Sequence, residues 1–349
     1  MIRRFTENPL ITPADLAPSR PGLEVLGVFN PGATMFRGER LLLLRVAERA
    51  VPEPGCIAAP VFDVENSELK ILQFRLDDPE LDASDPRVFS YRGETYLTSI
   101  SHLRVARSAD GVNFKIDPQP SLLPETPYES YGIEDARITC LEGVYYINYT
   151  AVSSCGVVTM LASTEDFRSF RRHGIIFAPD NKDIAIFPQK IGDRYVAFHR
   201  PSVMHVGRPS VWLASSPNLH DWGQHELVIT PRPGCWDSER VGGNSAPILT
   251  SEGWLAFYHG SDYNVRYCLG VLLLDRQDPS RVLARSREPF FEPTAPYERE
   301  GFMPNVVFHN GTIDPGNGEL ELYYGAADFL TCGARIDIAD LFKHLDWNR

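Results

Sequence analysis

No run of about 18 apolar residues occurs in the 349-residue chain, so nothing in it reads as a membrane-spanning helix. The opening stretch, MIRRFTENPL, lacks the apolar centre of a secretory signal, and the chain is expected to be soluble and cytoplasmic. Paired cysteines are missing too. The six present (Cys56, Cys140, Cys155, Cys235, Cys268, Cys332) stand far apart with no C-x-x-C among them. That spacing argues against zinc or a disulfide framework and for free buried thiols, with Cys140, Cys268 and Cys332 in strand-like segments. No metal site is assigned. Long amphipathic helices are hard to find; only Ile338 to Leu345 reads as a short one, with Ile338, Leu341, Phe342 and Leu345 on one face. P-loop, G-x-G-x-x-G, H-E-x-x-H and G-x-S-x-G patterns are all absent, which leaves nucleotide, zinc-protease and serine-hydrolase chemistry without support. Positive charge is short as well. Net charge is −12 with no Lys/Arg run, so nucleic acid would be repelled over most of the surface. An anionic ligand would need a local basic pocket.

What the chain does have is turns and repetition. Its 28 Pro and 26 Gly are scattered, which suits many short strands. Six units share one plan: an Asp or Asn heads a short apolar strand, then come a turn and a second strand rich in aromatic and β-branched residues. The units start at Asn30, Asp85, Asp135, Asp183, Asn244 and Asn305. Self-similarity at roughly 50 residues is the signature of stacked four-stranded blades. The expected fold is therefore all-β, a propeller of one domain over residues 1–349, closed by the short C-terminal helix. Radial blades bring the starts of their inner strands to one mouth, so the polar heads should converge on one pocket.

A second recurring element, S-x-D/N with an aromatic at its end, appears at Ser108 to Phe114, Ser163 to Phe170 and Ser216 to Trp222. It reads as a turn that packs the aromatic under a blade edge. The turn-rich stretches Glu48 to Pro60 and Ser121 to Gly132 are candidates for the pocket rim.

Asp135 is the leading candidate for chemistry. A carboxylate at a strand start that faces an enclosed mouth can be desolvated enough to keep a proton at neutral pH, as a general acid must. The competing reading is a structural one, with Asp or Asn at each head bonding neighbouring backbone. Cations shift the balance: Lys182 precedes Asp183, Arg200 ends the next strand beside His199, and Arg240 lies just before Gly242-Gly243-Asn244. Such a group in an acidic protein suits an anion of phosphate size, gripped bidentately by Arg and by Lys as a point charge. The alternative is that each cation pairs with Asp183, Asp237 or Glu239. His259, after Tyr258 at a strand end, is either a structural histidine or a ligand contact. Trp236, Tyr131 and Tyr263 are candidates to stack on sugar faces or ordinary packing residues.

These residues fall into runs that resemble glycoside hydrolase family 130, the β-mannoside phosphorylases and related β-mannosidases, over nearly the whole chain. The runs are NPGA (Asn30 to Ala33), GIEDARI (Gly132 to Ile138), N-K-D-x-x-x-F-P (Asn181 to Pro188), HRP (His199 to Pro201), W-D-S-x-R-V-G (Trp236 to Gly242), YHG (Tyr258 to Gly260), PNVVF (Pro304 to Phe308) and YYGAAD (Tyr323 to Asp328). The resemblance implies a five-bladed propeller and inverting attack at the anomeric carbon of a β-mannoside. It puts Asp135 at the general acid, with the proton passed through a hydroxyl of the bound mannose. It puts Lys182, Arg200 and Arg240, with His259, at the phosphate. Asn30, Arg45 and Asp328 correspond to contacts with the innermost mannosyl unit, and Asp85, Arg137, Asp183, His199, Asn244 and Tyr258 complete the substrate-binding set. Ala136 stands where the family usually has Pro, which implies a looser strand start. Six units against five blades leave an extra strand unit around residues 85–115, which either completes the first blade or forms an inserted hairpin.

An inverting hydrolase needs a second carboxylate across the sugar to activate water. A phosphorylase needs cations instead, because phosphate arrives ionised. The expected reaction is phosphorolysis of a β-1,2- or β-1,4-mannoside to α-mannose 1-phosphate, with inorganic phosphate as co-substrate and no other cofactor. A β-mannosidase with Glu239 or Asp237 as base is the runner-up, and a sugar-binding propeller without catalysis the third reading. Sheet edges on such a body suit a homo-oligomer.

Overall fold

The computed structural model describes residues 1–203 and 205–347. The fold is nearly all β, with short α-helices at Pro296–Arg299 and Ile338–Lys343. Four sheets have four antiparallel strands each, and a fifth is larger. The first is made by Leu23–Phe36, Glu39–Ala50, Ile100–Ser108 and Lys115–Ile116. The next two are consecutive meanders from Ile133–Leu141 to Arg171–Phe177 and from Asn181–Ile186 to Gly223–Ile229. The large sheet runs from Arg240–Gly243 through Trp254–Ser261 and Tyr267–Leu274 to Val282–Ser286. The last holds Val307–Ile313, Glu319–Ala326 and Leu330–Asp337, and its outer strand is Arg3–Arg4 from the other end of the chain. That pairing closes the body with strands from both termini.

Period-two alternation shows why the sheets stack. In Glu39–Ala50 the run Leu41-Leu42-Leu43-Leu44 is fully buried. Leu41 and Leu43 join Leu103, Val105, Ile133 and Ile147, while Leu42 and Leu44 join Val28, Ala106 and Tyr323 in a separate core. Tyr267–Leu274 divides in the same way, with Leu269, Val271 and Leu273 on one side and Cys268, Leu272 and Leu274 on the other. A strand covered on both faces reads as a continuous apolar run, and each buried side chain contributes about 1.5–3 kcal/mol.

The Asp85 unit turns out to be both of the expected alternatives. Leu81–Asp82, Val88–Tyr91 and Glu94–Leu97 form a separate three-stranded sheet, beside a hairpin of Cys56–Asp63 and Glu68–Arg75. Ile100–Ser108 and Lys115–Ile116 then complete the first sheet. The C-terminal helix stops at Lys343 because Leu345 enters a strand, Leu345–Trp347, that pairs with Val282–Ser286. The serine turns close as expected. Asp110, Asp166 and Asn218 accept backbone N–H bonds within each turn, and Phe114 and Trp222 pack on Tyr323 and Phe177. All six cysteines are free, and Cys268 and Cys332 are buried; Cys140 instead points outward on its strand.

Candidate active site

Three strand heads share a backbone device. Asn30, Asp135 and Asp183 have φ of 48°, 50° and 57°, and at each the ladder to the next strand shifts register. A bulge with its residue in the left-handed region re-aims one side chain, and Asn and Asp tolerate that conformation best. The structural and the chemical readings of the heads are thus one feature. Asn244 follows the C-terminal end of Arg240–Gly243 and Asn305 precedes Val307–Ile313, and only Asn305 has positive φ. Ala136 is fully buried with its carbonyl against Gly32, so this strand start is packed rather than loose.

The heads open on a cavity of about 440 Å³. Its lining includes Asn30, Arg45, Asp135, Lys182, Asp183, Arg200, Arg240, His259 and Asp328 among the residues singled out from sequence. Asp85, Arg137, His199, Asn244 and Tyr258 do not line it. Asp85 is occupied by Arg87 at the surface, and Arg137 lies behind Asp135 and Asp183. His199 is buried on Phe177 and His225, Asn244 accepts from His259, and Tyr258 donates to the buried Asp237. The aromatic candidates fall elsewhere as well. Trp236 stacks on Tyr258, Tyr131 packs near Tyr96, and Tyr263 is 86% exposed. Phe29, Tyr267, Phe302 and Phe308 are the aromatic lining. The rim comes from Arg87, Val88, Leu97 and Ser99 and from Phe302, Met303 and Val306, not from Glu48 to Pro60 or Ser121 to Gly132. Phe308 and Glu134 lay within recognised runs; Arg87 and Tyr267 carried no signal beyond ordinary strand and turn composition.

Around Asp135 the bonds are one-sided. Asn30 Nδ2 and Arg45 Nη1 both donate to its Oδ1 at 3.0 Å, while Arg45 Nη2 donates to Glu134 at 2.7 Å. Arg45 also lies over the Phe29 ring. Burial pushes the Asp135 carboxyl up, but Arg45, Arg137, the Asn30 amide and Lys182 more than offset it, and the group sits below the ordinary carboxylate range. This corrects the expectation that desolvation alone would keep it protonated in the free protein. The protonatable carboxyl is Asp328, raised to about 6 by burial and by the neighbouring charges of Asp135 and Glu134. Asp328 has no hydrogen-bond partner among the described residues.

The cations are unevenly paired. Arg200 donates from Nε to Asp183 Oδ2 at 2.5 Å, and Arg137 Nη2 holds Asp183 Oδ1 at 3.0 Å. Lys182 and Arg240 make no ion pair or hydrogen bond through their side chains among the described residues, and the buried Arg240 Nε is unsatisfied. The carboxylates proposed as their partners are taken: Asp237 by Arg232 and Arg285, Glu239 by Arg208. His259 is lowered to about 3, chiefly by burial, and is neutral; its Nδ1 lies 2.7 Å from Asn244 Oδ1 and its Nε2 3.5 Å from Asp183. A Cβ on Gly242 would collide with the His259 ring and crowd Asp183, so glycine there lets the strands close on this corner. The cavity therefore holds a cup of three cations, two of them without a carboxylate partner among the described residues, and a carboxylate bridged to an amide and a guanidinium. Such a pair of features can seat an oxyanion opposite a proton-handling group.

Residues 75–346 match the family model of glycoside hydrolase family 130, described as beta-1,4-mannooligosaccharide phosphorylase. The chain is 47% identical over 350 residues to a beta-1,2-mannobiose phosphorylase of Listeria innocua, covering 99% of this chain and 98% of that protein. A beta-1,4-mannooligosaccharide phosphorylase of Ruminococcus albus is 32% identical over 70% of this chain and 76% of its own length. Among solved structures, the beta-1,2-mannobiose phosphorylase from Listeria innocua in complex with beta-1,2-mannobiose superposes with a TM-score of 0.95 at 46% identity, over 98% of both chains. This chain belongs to glycoside hydrolase family 130.

Proposed function

We propose that this chain is an inverting β-mannoside phosphorylase, which converts a β-linked mannoside and phosphate to α-mannose 1-phosphate and a shortened acceptor. The observation that carries the reading is the cup of Lys182, Arg200 and Arg240, two of them without a carboxylate partner. The relatives favour β-1,2-mannobiose as the substrate, with mannose as the released acceptor. Phosphate binds Lys182, the free Nη nitrogens of Arg200 and Arg240, with His259 beside it, and attacks the anomeric carbon of a mannosyl unit held by Asn30, Arg45 and Asp328. Asp135 supplies the proton to the departing sugar oxygen by way of a mannosyl hydroxyl. Phosphate itself prepares that step: its negative charge offsets Lys182, one of the groups that hold Asp135 ionised, and moves the carboxyl toward the proton-bearing form.

The hydrolase alternative loses its base, because neither Asp237 nor Glu239 lines the cavity. Glu134 and Asp183 do, but arginines engage both, and Asp328, which has no such partner, is assigned to the mannosyl unit instead. The five large sheets are read as the five blades of one catalytic propeller over residues 1–349, supported by their shared cavity and by strands from both termini in one sheet. No cofactor beyond phosphate enters the reaction. A cytoplasmic location fits the free thiols. The test is incubation with β-1,2-mannobiose with and without phosphate. Phosphate-dependent release of mannose 1-phosphate is expected; free mannose in equal yield without phosphate would mean hydrolysis.

A further inference from the structure

Among the described residues, Arg87 is the one charged side chain that residues 81–99 and 302–306 contribute to the cavity. It comes from the three-stranded sheet of residues 81–97, outside the five large sheets. Val88, Leu97, Phe302, Met303 and Val306 line the cavity with it, and Asp328 and Tyr267 are near enough to act on its charge. The charged groups deeper in the cavity are much less exposed: the Arg200 side chain is 5% exposed and Arg45 15%, against 49% for Arg87. Although partly exposed, Arg87 is not free to swing. Nε donates to Asp85 Oδ1 at 3.0 Å, Nη2 to Asp85 Oδ2 at 2.7 Å, and Nη1 lies 3.3 Å from Met303 Sδ. Asp85 is itself fixed by the Arg87 backbone N–H at 2.9 Å. A guanidinium has five N–H groups; these contacts use three, so two remain for a ligand. A clamped fork gives up less freedom on binding than a loose one.

We propose that Arg87, held in place by Asp85, binds hydroxyls of the acceptor sugar and sets the orientation of the departing unit. The assignment rests on the phosphorylase function proposed above. With phosphate and the transferred mannosyl unit in the inner cavity, the outer half is left for the acceptor, and among the described residues Arg87 is its only charge-bearing donor. Asp85 then acts through Arg87 rather than on the sugar. The test uses the reverse reaction, with α-mannose 1-phosphate as donor and mannose as acceptor, for wild type, Arg87→Ala and Asp85→Asn. Arg87→Ala should raise the acceptor KM by roughly tenfold or more, the loss expected for one charge-assisted hydrogen bond. The KM for mannose 1-phosphate, and for phosphate in the forward direction, should stay within about twofold, since that is no more than a few tenths of a kcal/mol. Asp85→Asn, which keeps the guanidinium but loosens it, should shift the acceptor KM in the same direction by less. If Arg87→Ala fails to fold, Asp85→Asn decides alone by the same ratio. An unchanged acceptor KM, or equal rises for acceptor and donor, overturns the proposal. A wild type that makes no mannose 1-phosphate would instead refute the phosphorylase reading.

Discussion

Arg45 and Asp135 meet through a single oxygen. Arg45 Nη1 and Asn30 Nδ2 both reach Oδ1 at 3.0 Å, and Oδ2 accepts no hydrogen bond among the described residues. The carboxylate is thus anchored on one side and available on the other. It is held by groups from the first sheet, although it belongs to the strand Ile133–Leu141.

Asp135→Asn keeps an acceptor for Arg45 and Asn30 but cannot deliver a proton. Phosphorolysis should fall by at least the 10²–10⁴-fold typical of a general acid. The melting temperature should fall only modestly, since the exchange weakens hydrogen bonds to a charged group, worth about 1.5–3 kcal/mol each, without leaving either donor unpaired. Mannose 1-phosphate release and a thermal melt on the same preparation check both parts. Near-normal turnover would remove Asp135 from the mechanism.

Lys182→Ala and Arg240→Ala should separate from Arg200→Ala. Neither of the first two breaks an ion pair, so phosphate-free stability should hold, while the KM for phosphate rises roughly tenfold or more. Arg200→Ala takes one of the two guanidinium partners from buried Asp183. It should lose stability as well, though less than the roughly 3–5 kcal/mol seen when a buried charge is left alone, because Arg137 remains. Phosphate kinetics beside melts with and without phosphate decide. A wild-type KM for phosphate in all three would refute the anion site.

Asp328 gives a pH signature. Its carboxyl lies at about 6 in the fold against an ordinary 3.8, so the folded chain holds this proton more tightly than the unfolded one. That contribution is full below 3.8 and is lost as pH rises through about 6. At about 1.4 kcal/mol for each unit of displacement, the loss is at most roughly 3 kcal/mol. Asp183 and Asp135 are displaced the other way, and their contributions are lost as pH falls, so the comparison must be with Asp328→Asn. Urea unfolding should find the variant gaining on wild type between about pH 4.5 and pH 7. A constant difference across that interval would mean that Asp328 titrates normally.

The strand plan, the turns and most of the polar residues of the cavity could be read from the chain, because alternation and turn chemistry are local. Asn30, Asp135 and Asp183 announced themselves by recurring at strand heads. Their positive φ did not, since a bulge appears only when the partner strand is in place. Tyr258 and Arg137 show the limit from the other side: each is next to a lining residue, or two away from one, yet faces into packed protein.

By itself the sequence determined an all-β chain with repeated polar strand heads and cations near them. Which cations would be left without a partner was decided only by the tertiary structure. Asp237 and Glu239 were near enough in sequence to neutralise Arg240, but folding gave them to Arg232, Arg285 and Arg208. The same holds for Arg87, an ordinary strand-edge arginine until the small sheet carries it to the mouth of the cavity. Charge pairing acts over a few ångströms of space, and residues distant along the chain compete for it once the sheets have stacked.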